Sequence, residues 1–359
     1  MFTLGIVAGQ EDPRIAIVPE TIDKFLKLTP TILVEKGAGS KAYYSDDAIS
    51  AKAKVVSREE VLSSSDLILS PTPPSVSDLD KIRKGSSVLS MFAPYQDASV
   101  IETLKSRGIH AYSSDMIPRS TLAQSMDVLS SMASLAGYKA VLLAAQKLPR
   151  YFPMLMTASG TIKPAKALIL GAGVAGLQAI ATAKRLGAVV EVFDTRKAVK
   201  EEVQSLGAKF VEVEGARDDK AAGGYAVEQT EEFLNRQRQL IQDKAAKSDV
   251  IICTAQIRGK KAPILISADT TQRMRPGSVI IDLASSTGGN CEATKDKETI
   301  QLNGVTIVGN SYLANDVAVD ASYLLSNNYL NLIKLLVNKE GNLMHDANNE
   351  ILQSALITK

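Results

Sequence analysis

Residues 117–131 read I-P-R-S-T-L-A-Q-S-M-D-V-L-S-S, and Arg119, Gln124, Asp127 and Ser130 within them carry groups that hold a ligand by hydrogen bonds. Nothing in the stretch reads as an activated nucleophile or a metal cage. The whole sequence has 2 histidines: His110 in G-I-H-A-Y, which reads as a strand, and His345 in the polar C-terminal stretch. Neither is expected to be catalytic. Most dehydrogenases that reduce a carbonyl need a proton donor beside the hydride donor, commonly His, Lys or Tyr. Some chemistry must therefore use an arginine, an amide, a carboxylate and serines without such a donor.

The strongest chemical signal is A-L-I-L-G-A-G-V-A-G-L-Q-A-I-A-T-A-K-R-L-G-A-V-V-E-V-F-D-T-R, which reads as strand, glycine turn, helix, strand. It sets G-x-G-x-x-G at Gly171, Gly173 and Gly176, with Ala172, Val174 and Ala175 filling the turn. The first glycine makes the turn, the second lets a pyrophosphate approach the backbone, and the third lets the helix pack on the sheet. The helix N-terminus then faces the phosphates. Asp194 ends the next strand, where a carboxylate accepts hydrogen bonds from an adenosine ribose, and Thr195 and Arg196 follow in the same loop. A carboxylate there repels a 2′-phosphate, so NAD is favoured over NADP. A bare glycine fingerprint is weak evidence; this one has its strand, helix and acid in order.

Other elements must position these groups. Upstream, TLGIVAG, TILVEKG, DLILSPT, SSVLSMF and GIHAYSS read as strands. Between them PETIDKFLKL, DDAISAKAK, DLDKIRKG and DASVIETLKSRG read as helices, a βαβ series that makes a parallel sheet. The G-A-G at 37–39 reads as a turn, since it lacks a third glycine. From Thr121 to about Lys147 the pattern reads as one long helix with Ser120 as its N-cap. At about 100° per residue, Gln124, Asp127, Ser130, Ser131, Ser134 and Tyr138 share a stripe roughly 120° wide. Met126, Leu129, Met132, Ala133 and Ala136 lie opposite. A solvated face normally carries Lys and Glu; up to Tyr138 this one carries only Asp127, which fits a half-buried, ligand-facing stripe better.

Residues 151–165 read as an irregular joint before the fingerprint. After it, AKFVEV, DVIICTA, GSVIIDLAS and GVTIVGN complete a six-strand doubly wound sheet, whose ligands lie outside the carboxyl ends of the strands. That nominates Thr254, Ala255, Gln256, Ala284, Ser285 and Asn310. The insertion 214–248 contains A-A-G-G-Y-A, then a highly charged helix from Glu228 to Lys247. Gly224 and Tyr225 there suit a mobile flap and an ordinary surface loop equally well. The final stretch, opening N-D-V-A-V-D-A-S-Y-L-L, is placed as a helix returning to the first domain. The expected fold is α/β, two Rossmann-like doubly wound parallel-sheet domains separated by a cleft. The first, discontinuous, takes 1–125 plus 316–359; the NAD(H)-binding Rossmann domain takes 126–315.

Composition agrees with this and excludes other classes. At 359 residues there is room for two cores, and 45% apolar with 22% charged residues is ordinary globular composition. A formal charge of +2 with scattered lysines argues neither for nucleic acid nor for an anionic membrane surface. No apolar run approaches the ~20 residues of a spanning helix, and the N-terminus turns acidic and prolyl too early for a signal peptide. Cys253 and Cys291 suggest neither a disulfide framework nor a zinc site. A soluble intracellular protein is expected, with no metal.

R-S-T-L-A-Q-S-M-D-x-L-S-S-M-A-x-x-A-G-Y-x-A, followed by G-A-G-V-A-G-L-Q-A-I-A-T-A-K-R-L-G-A, resembles the NAD(H)-binding first domain of proton-translocating nicotinamide nucleotide transhydrogenases. The resemblance runs nearly the whole chain and includes E-D-P-R-I-A-I-V-P-E, E-K-G-A-G, A-G-G-Y-A and D-L-A-x-x-x-G-G-N-C-E. It implies that the segment of Arg119, Gln124, Asp127 and Ser130 holds the nicotinamide, and that Tyr225 lies on a mobile loop closing over the cofactor. It also implies a homodimer and two partners, an NADP(H)-binding domain and a membrane domain that couples the reaction to proton passage. The chain would then be peripheral on the inner, cytoplasmic face of a membrane, or on the matrix side in an organelle. One departure stands at 255–259, where A-Q-I-R-G replaces the usual A-L-I-P-G, so cofactor or partner contacts are expected to differ at Gln256 and Arg258.

Alanine dehydrogenase is the rival within the same fold and shares the arginine after the first strand, here Arg14. That family handles pyruvate with a lysine, a histidine and an aspartate. Here P-T-P-P follows DLILS with no lysine, VLSMFAPY offers no histidine, and S-S-T before Gly288 offers no aspartate. A non-catalytic NAD-binding regulator is the other alternative. Direct hydride exchange between two nicotinamides moves no proton, so it needs only two rings held ~3 to 3.5 Å apart, dry and aligned. A set of positioning groups without histidine suits that reaction.

Overall fold

The computed structural model describes residues 1–95, 98–213, 230–346 and 348–359. The chain divides into two compact units, Met1–Met132 with Asn315–Lys359, and Ala133–Ala314. In the first, β1 (Thr3–Ile6), β2 (Thr31–Glu35), β3 (Lys54–Val56), β4 (Leu67–Leu69), β5 (Ser87–Ser90) and β6 (His110–Ser113) form one sheet in the order β3-β2-β1-β4-β5-β6. Every pairing in it is parallel. The order reverses between β1 and β4, the switch point of a doubly wound sheet.

The second unit opens with an antiparallel hairpin, β7 (Leu155–Thr157) and β8 (Gly160–Ile162). Then β9 (Lys166–Leu170), β10 (Val189–Phe193), β11 (Lys209–Phe210), β12 (Val250–Cys253), β13 (Val279–Asp282), β14 (Thr299–Leu302) and β15 (Val305–Gly309) form a sheet ordered β11-β10-β9-β12-β13-β15-β14. Its central strands are continuous apolar runs, as strands covered on both faces require. All its pairings are parallel except β14 with β15.

Several expectations are corrected here. D-D-A-I-S-A-K-A-K is not one helix: the helix stops at Ser50, and the chain turns into the edge strand β3. D-L-D-K-I-R-K-G keeps only the turn Val76–Leu79. Among the described residues the second sheet has seven strands rather than six, and the joint at 151–165 contains the β7–β8 hairpin. The charged helix spans Glu231–Ala246, and residues 214–229, with Gly224 and Tyr225, lie outside the described residues.

The long helix is the most consequential correction. Thr121–Met126 is a 3-10 segment, Asp127 leaves helical geometry at φ −76° and ψ 89°, and the α-helix runs Val128–Lys147. Ser120 makes no capping bond. Asp127 caps instead, because its short carboxylate competes for backbone N–H groups at a helix start. Gln124 and Asp127 are therefore not successive positions on one helical face. By length and composition alone, Val128–Lys147 could also cross a membrane, contrary to the expectation that no run approaches that length. One such helix is weak evidence for a membrane span. Here Gly137 packs so tightly that a Cβ on it would lie 2.1 Å from the Ala175 carbonyl oxygen.

The first unit's core draws on both ends of its sequence: Leu4, Ile17, Phe25 and Leu69 are fully buried together with Leu332 and Ile333 of the helix Ala318–Leu336. Each such side chain contributes roughly 1.5–3 kcal/mol. Polar bonds fix the register: the Ile15 N–H donates to the Ser322 hydroxyl at 3.0 Å, and the Thr21 and Ser326 hydroxyls bond at 2.7 Å. His110 and His345 stack with ring centroids 4.0 Å apart, and His345 Nδ1 bonds the Tyr112 hydroxyl at 2.7 Å. Both histidines are thus engaged in holding the C-terminal stretch to β6.

Candidate functional site

The dinucleotide turn follows β9 as its sequence requires. Gly171 takes φ 101°, the left-handed region, and a Cβ on it would lie 2.6 Å from Thr254 Oγ1. A Cβ on Gly176 would lie 1.9 Å from the Gly171 oxygen, so only glycine lets the helix Val174–Arg185 sit this close to the turn. Gly173 behaves oppositely: among the described residues, a Cβ there would meet nothing within 4 Å. Its glycine is not needed for packing, and the open backbone face beside it suits the approach of a pyrophosphate. No side chain caps this helix, which leaves its positive end to an anion. These features fit a dinucleotide.

Asp194 stands just past β10, beside the turn. Its Oδ2 accepts the Ala172 N–H at 2.7 Å and its Oδ1 the Arg196 N–H at 2.8 Å, so the fold itself aims the carboxylate. The Arg196 guanidinium adds Nε to Oδ1 and Nη2 to Oδ2, both at 3.0 Å. Burial alone would raise the Asp194 pKa, but the Arg196 side chain and the two backbone N–H groups outweigh it and hold the carboxyl below its usual range. It is an anion at neutral pH.

The neighbouring strand ends are braced by buried polar groups. Asn290, fully buried, accepts the Ala255 N–H at 3.0 Å and donates to the Ala255 and Pro263 carbonyls at 2.8 and 2.9 Å. Asp282, also fully buried, accepts from Ala284, Asn290 and Cys291 N–H groups and from the Thr294 hydroxyl. Thr254 Oγ1 lies 3.1 Å from the Leu170 and Gly171 oxygens, tying the turn to β12. Gln256 reaches the Thr287 hydroxyl, at 3.3 Å, and is exposed. Ser285 bonds Asp296 at 2.6 Å, and Asn310 turns back to accept the Tyr312 N–H at 2.7 Å. Asp282 and Asn290 were missed from the sequence; a carboxylate ending the apolar run V-I-I-D was the available signal.

In the first unit, the Arg119–Ser130 segment is anchored from below and open above. Ala123, Met126 and Val128 are buried in the core, while Arg119 and Gln124 are exposed. Among the described residues, neither of those two side chains has a hydrogen-bond partner. Asp127 is committed differently: Oδ1 accepts the Ser130 N–H at 2.9 Å and Oδ2 the Ser130 hydroxyl at 2.6 Å. Asn328 and Asn331, on the helix Ala318–Leu336, donate to the Ser125 carbonyl at 2.9 and 3.2 Å and fix the 3-10 segment from the other side. No sequence signal singled out these two asparagines. The set thus splits into two free hydrogen-bonding side chains and a capping pair that holds their loop.

Arg14 is closed off. It and Asp12 are 5% and 6% exposed, and the guanidinium donates Nε to Asp12 Oδ1 at 2.9 Å and Nη2 to Oδ2 at 2.5 Å. Burial opposes its charge, yet Asp12 holds its pKa above the ordinary value.

Comparisons with known proteins agree with the fold. The model of the alanine dehydrogenase/PNT N-terminal domain matches residues 8–136, and that of the C-terminal domain matches 140–359. The chain is 42% identical over 338 residues to a NAD(P) transhydrogenase subunit alpha chain of Rhodospirillum rubrum, covering 92% of this chain and 88% of that one. It is 24% identical over 354 residues to the alanine dehydrogenase of Bacillus subtilis, covering 96% and 87%. The crystal structure of transhydrogenase from Sinorhizobium meliloti superposes with a TM-score of 0.90 at 36% identity, covering 99% of this chain and 97% of that one.

Proposed function

The chain belongs to the alanine dehydrogenase/PNT family, on its transhydrogenase branch, and from that premise we propose that it is the NAD(H)-binding component of a proton-translocating transhydrogenase. When bound, NAD(H) supplies a hydride that passes directly to or from NADP(H) held by a partner domain, and a membrane partner couples the exchange to proton passage. The chain sits at the membrane surface through those partners.

The observation that carries the reading is a complete dinucleotide turn, ending in the Asp194 carboxylate, in a chain whose one carboxylate among the candidate nicotinamide contacts, Asp127, is already committed to Ser130. The turn at Gly171–Gly176 and the first turn of the helix Val174–Arg185 hold the pyrophosphate, and Asp194 accepts from the adenosine ribose. Arg119 and Gln124, free and exposed, grip the carboxamide and its ribose. Asp127 and Ser130 keep that loop in place. No proton moves in the exchange, so none of these groups has to titrate; their task is alignment.

Amino-acid oxidation is disfavoured by Arg14. It is 5% exposed and its guanidinium already commits Nε and Nη2 to Asp12, so it is neither open to a substrate carboxylate nor lacking a charge partner. Calorimetry tests the cofactor assignment: NADH should bind clearly more tightly than NADPH, and Asp194→Ser should narrow the gap. Equal affinities in the unmutated chain would remove it.

The functional unit is a homodimer. Met154, Met156 and Tyr151 at the β7–β8 hairpin are 59%, 71% and 55% exposed, and a two-stranded hairpin is marginal without cover. Only about a third of the apolar helix Val128–Lys147 is buried within one chain. A second copy covering these surfaces explains both. Sedimentation at micromolar concentration should return a dimer, and Met156→Glu should shift it toward monomer. A monomer in the unmutated chain would contradict this.

A further inference from the structure

A carboxylate offers about four acceptor positions on its two oxygens. In Asp194 all four are taken by this chain's own donors: Ala172 N–H, Arg196 N–H, and the Nε and Nη2 of Arg196. The two backbone bonds are part of the fold and cannot leave without unmaking the turn. The other two come from one guanidinium that is 59% exposed, while the carboxylate it covers is 7% exposed. Those two positions match in number the two ribose hydroxyls of an NAD adenosine. We propose that Arg196 competes with the adenosine ribose for Asp194, swings out when NAD(H) binds, and thereby sets how strongly this chain prefers NAD(H) over NADP(H).

The inference rests on the cofactor reading above and deepens it. With NAD(H), the fork must give up two charge-assisted hydrogen bonds, which weakens binding. With NADP(H), the same arginine offsets the Asp194 charge and offers a cation to the 2′-phosphate, which softens the rejection. Arg196 therefore narrows the preference that Asp194 creates. This direction is opposite to what its place in the fingerprint loop suggests, where it reads as one more cofactor contact.

The test is calorimetric titration of NADH and NADPH into the full chain, its Arg196→Gln variant and its Arg196→Lys variant, with thermal melts alongside. Partly exposed ion pairs are modest, so Arg196→Gln should bind NADH about threefold more tightly and NADPH about tenfold more weakly. The ligand-free melt of that variant should fall slightly while the NADH-induced shift grows, because the competitor stabilised only the free form. Arg196→Lys keeps the charge without the fork and should give an intermediate NADH:NADPH ratio. Weaker NADH binding in Arg196→Gln, or an unmoved ratio, would overturn the inference and leave the cofactor reading standing. If the unmutated chain bound neither nucleotide, the cofactor reading would fail and this inference with it.

Discussion

Asp12→Ala should destabilise the chain by roughly 3–5 kcal/mol, the range for removing one partner of a buried ion pair. Asp12 and Arg14 are both almost wholly enclosed, and Asp12 also accepts the Arg14 N–H at 2.9 Å. Without the carboxylate, the guanidinium remains in the core with its charge uncompensated. Removing both members should cost much less: in Asp12→Ala/Arg14→Leu no buried charge is left behind, and well-packed apolar replacements are often near neutral. Urea denaturation of the three proteins gives the comparison. A single variant within about 1 kcal/mol of the parent would show that Arg14 finds another partner or water. That result would reopen Arg14 as a carboxylate site, and with it the dehydrogenase alternative.

Gln124→Asn should slow hydride transfer to NADP⁺ on the partner domain by on the order of 100-fold, while NADH affinity changes only modestly. The substitution draws the amide back by about one carbon–carbon bond, and a misplacement of about 1 Å can cost that much in rate. Gln124 suits the test because its side chain is exposed, so its loss disturbs little of the fold. Asp127 would confuse it: that carboxylate caps the helix Val128–Lys147, and its removal should cost roughly 1 kcal/mol of stability by itself. Single-turnover kinetics across pH 6 to 9 should show a flat hydride step in both proteins. An unchanged rate in the variant would remove the positioning role. A steep titration of the step would point to a general acid elsewhere.

The sequence revealed the fold's centre better than its margins. β9, β12 and β13 are apolar runs flanked by glycines or turn residues, and burial on both faces leaves such a run few alternatives. β3 is three residues at a sheet edge, with too little apolar pattern to separate it from the helix before it. β14 was missed although its signal was present: Asn303 and Gly304 both take positive φ, as a two-residue hairpin turn requires, and N-G between two strands is that turn's usual sequence. The start of the long helix misled because Ser120 and Asp127 are both capping residues. Only the carboxylate bond to Ser130 decides between them. Chain order located the Gly171–Asp194 site, since turn, helix and acid follow one another within a single βαβ unit. The Arg196 fork, the Asn290 brace and the anchoring of Ser125 by Asn328 and Asn331 are side-chain geometries that no local pattern encodes.

The central claim is that a hydride leaves NADH held by this chain and arrives on NADP⁺ held by its partner without passing through any exchangeable group. NADH deuterated at C4, prepared separately on each face of the ring, would be loaded onto the chain and mixed with an NADP⁺-loaded partner domain for one turnover. For one of the two labelled forms, the account predicts NADPH carrying the deuterium at C4 and none released to water. Deuterium in the solvent, or no NADPH with both nucleotides bound, would contradict it.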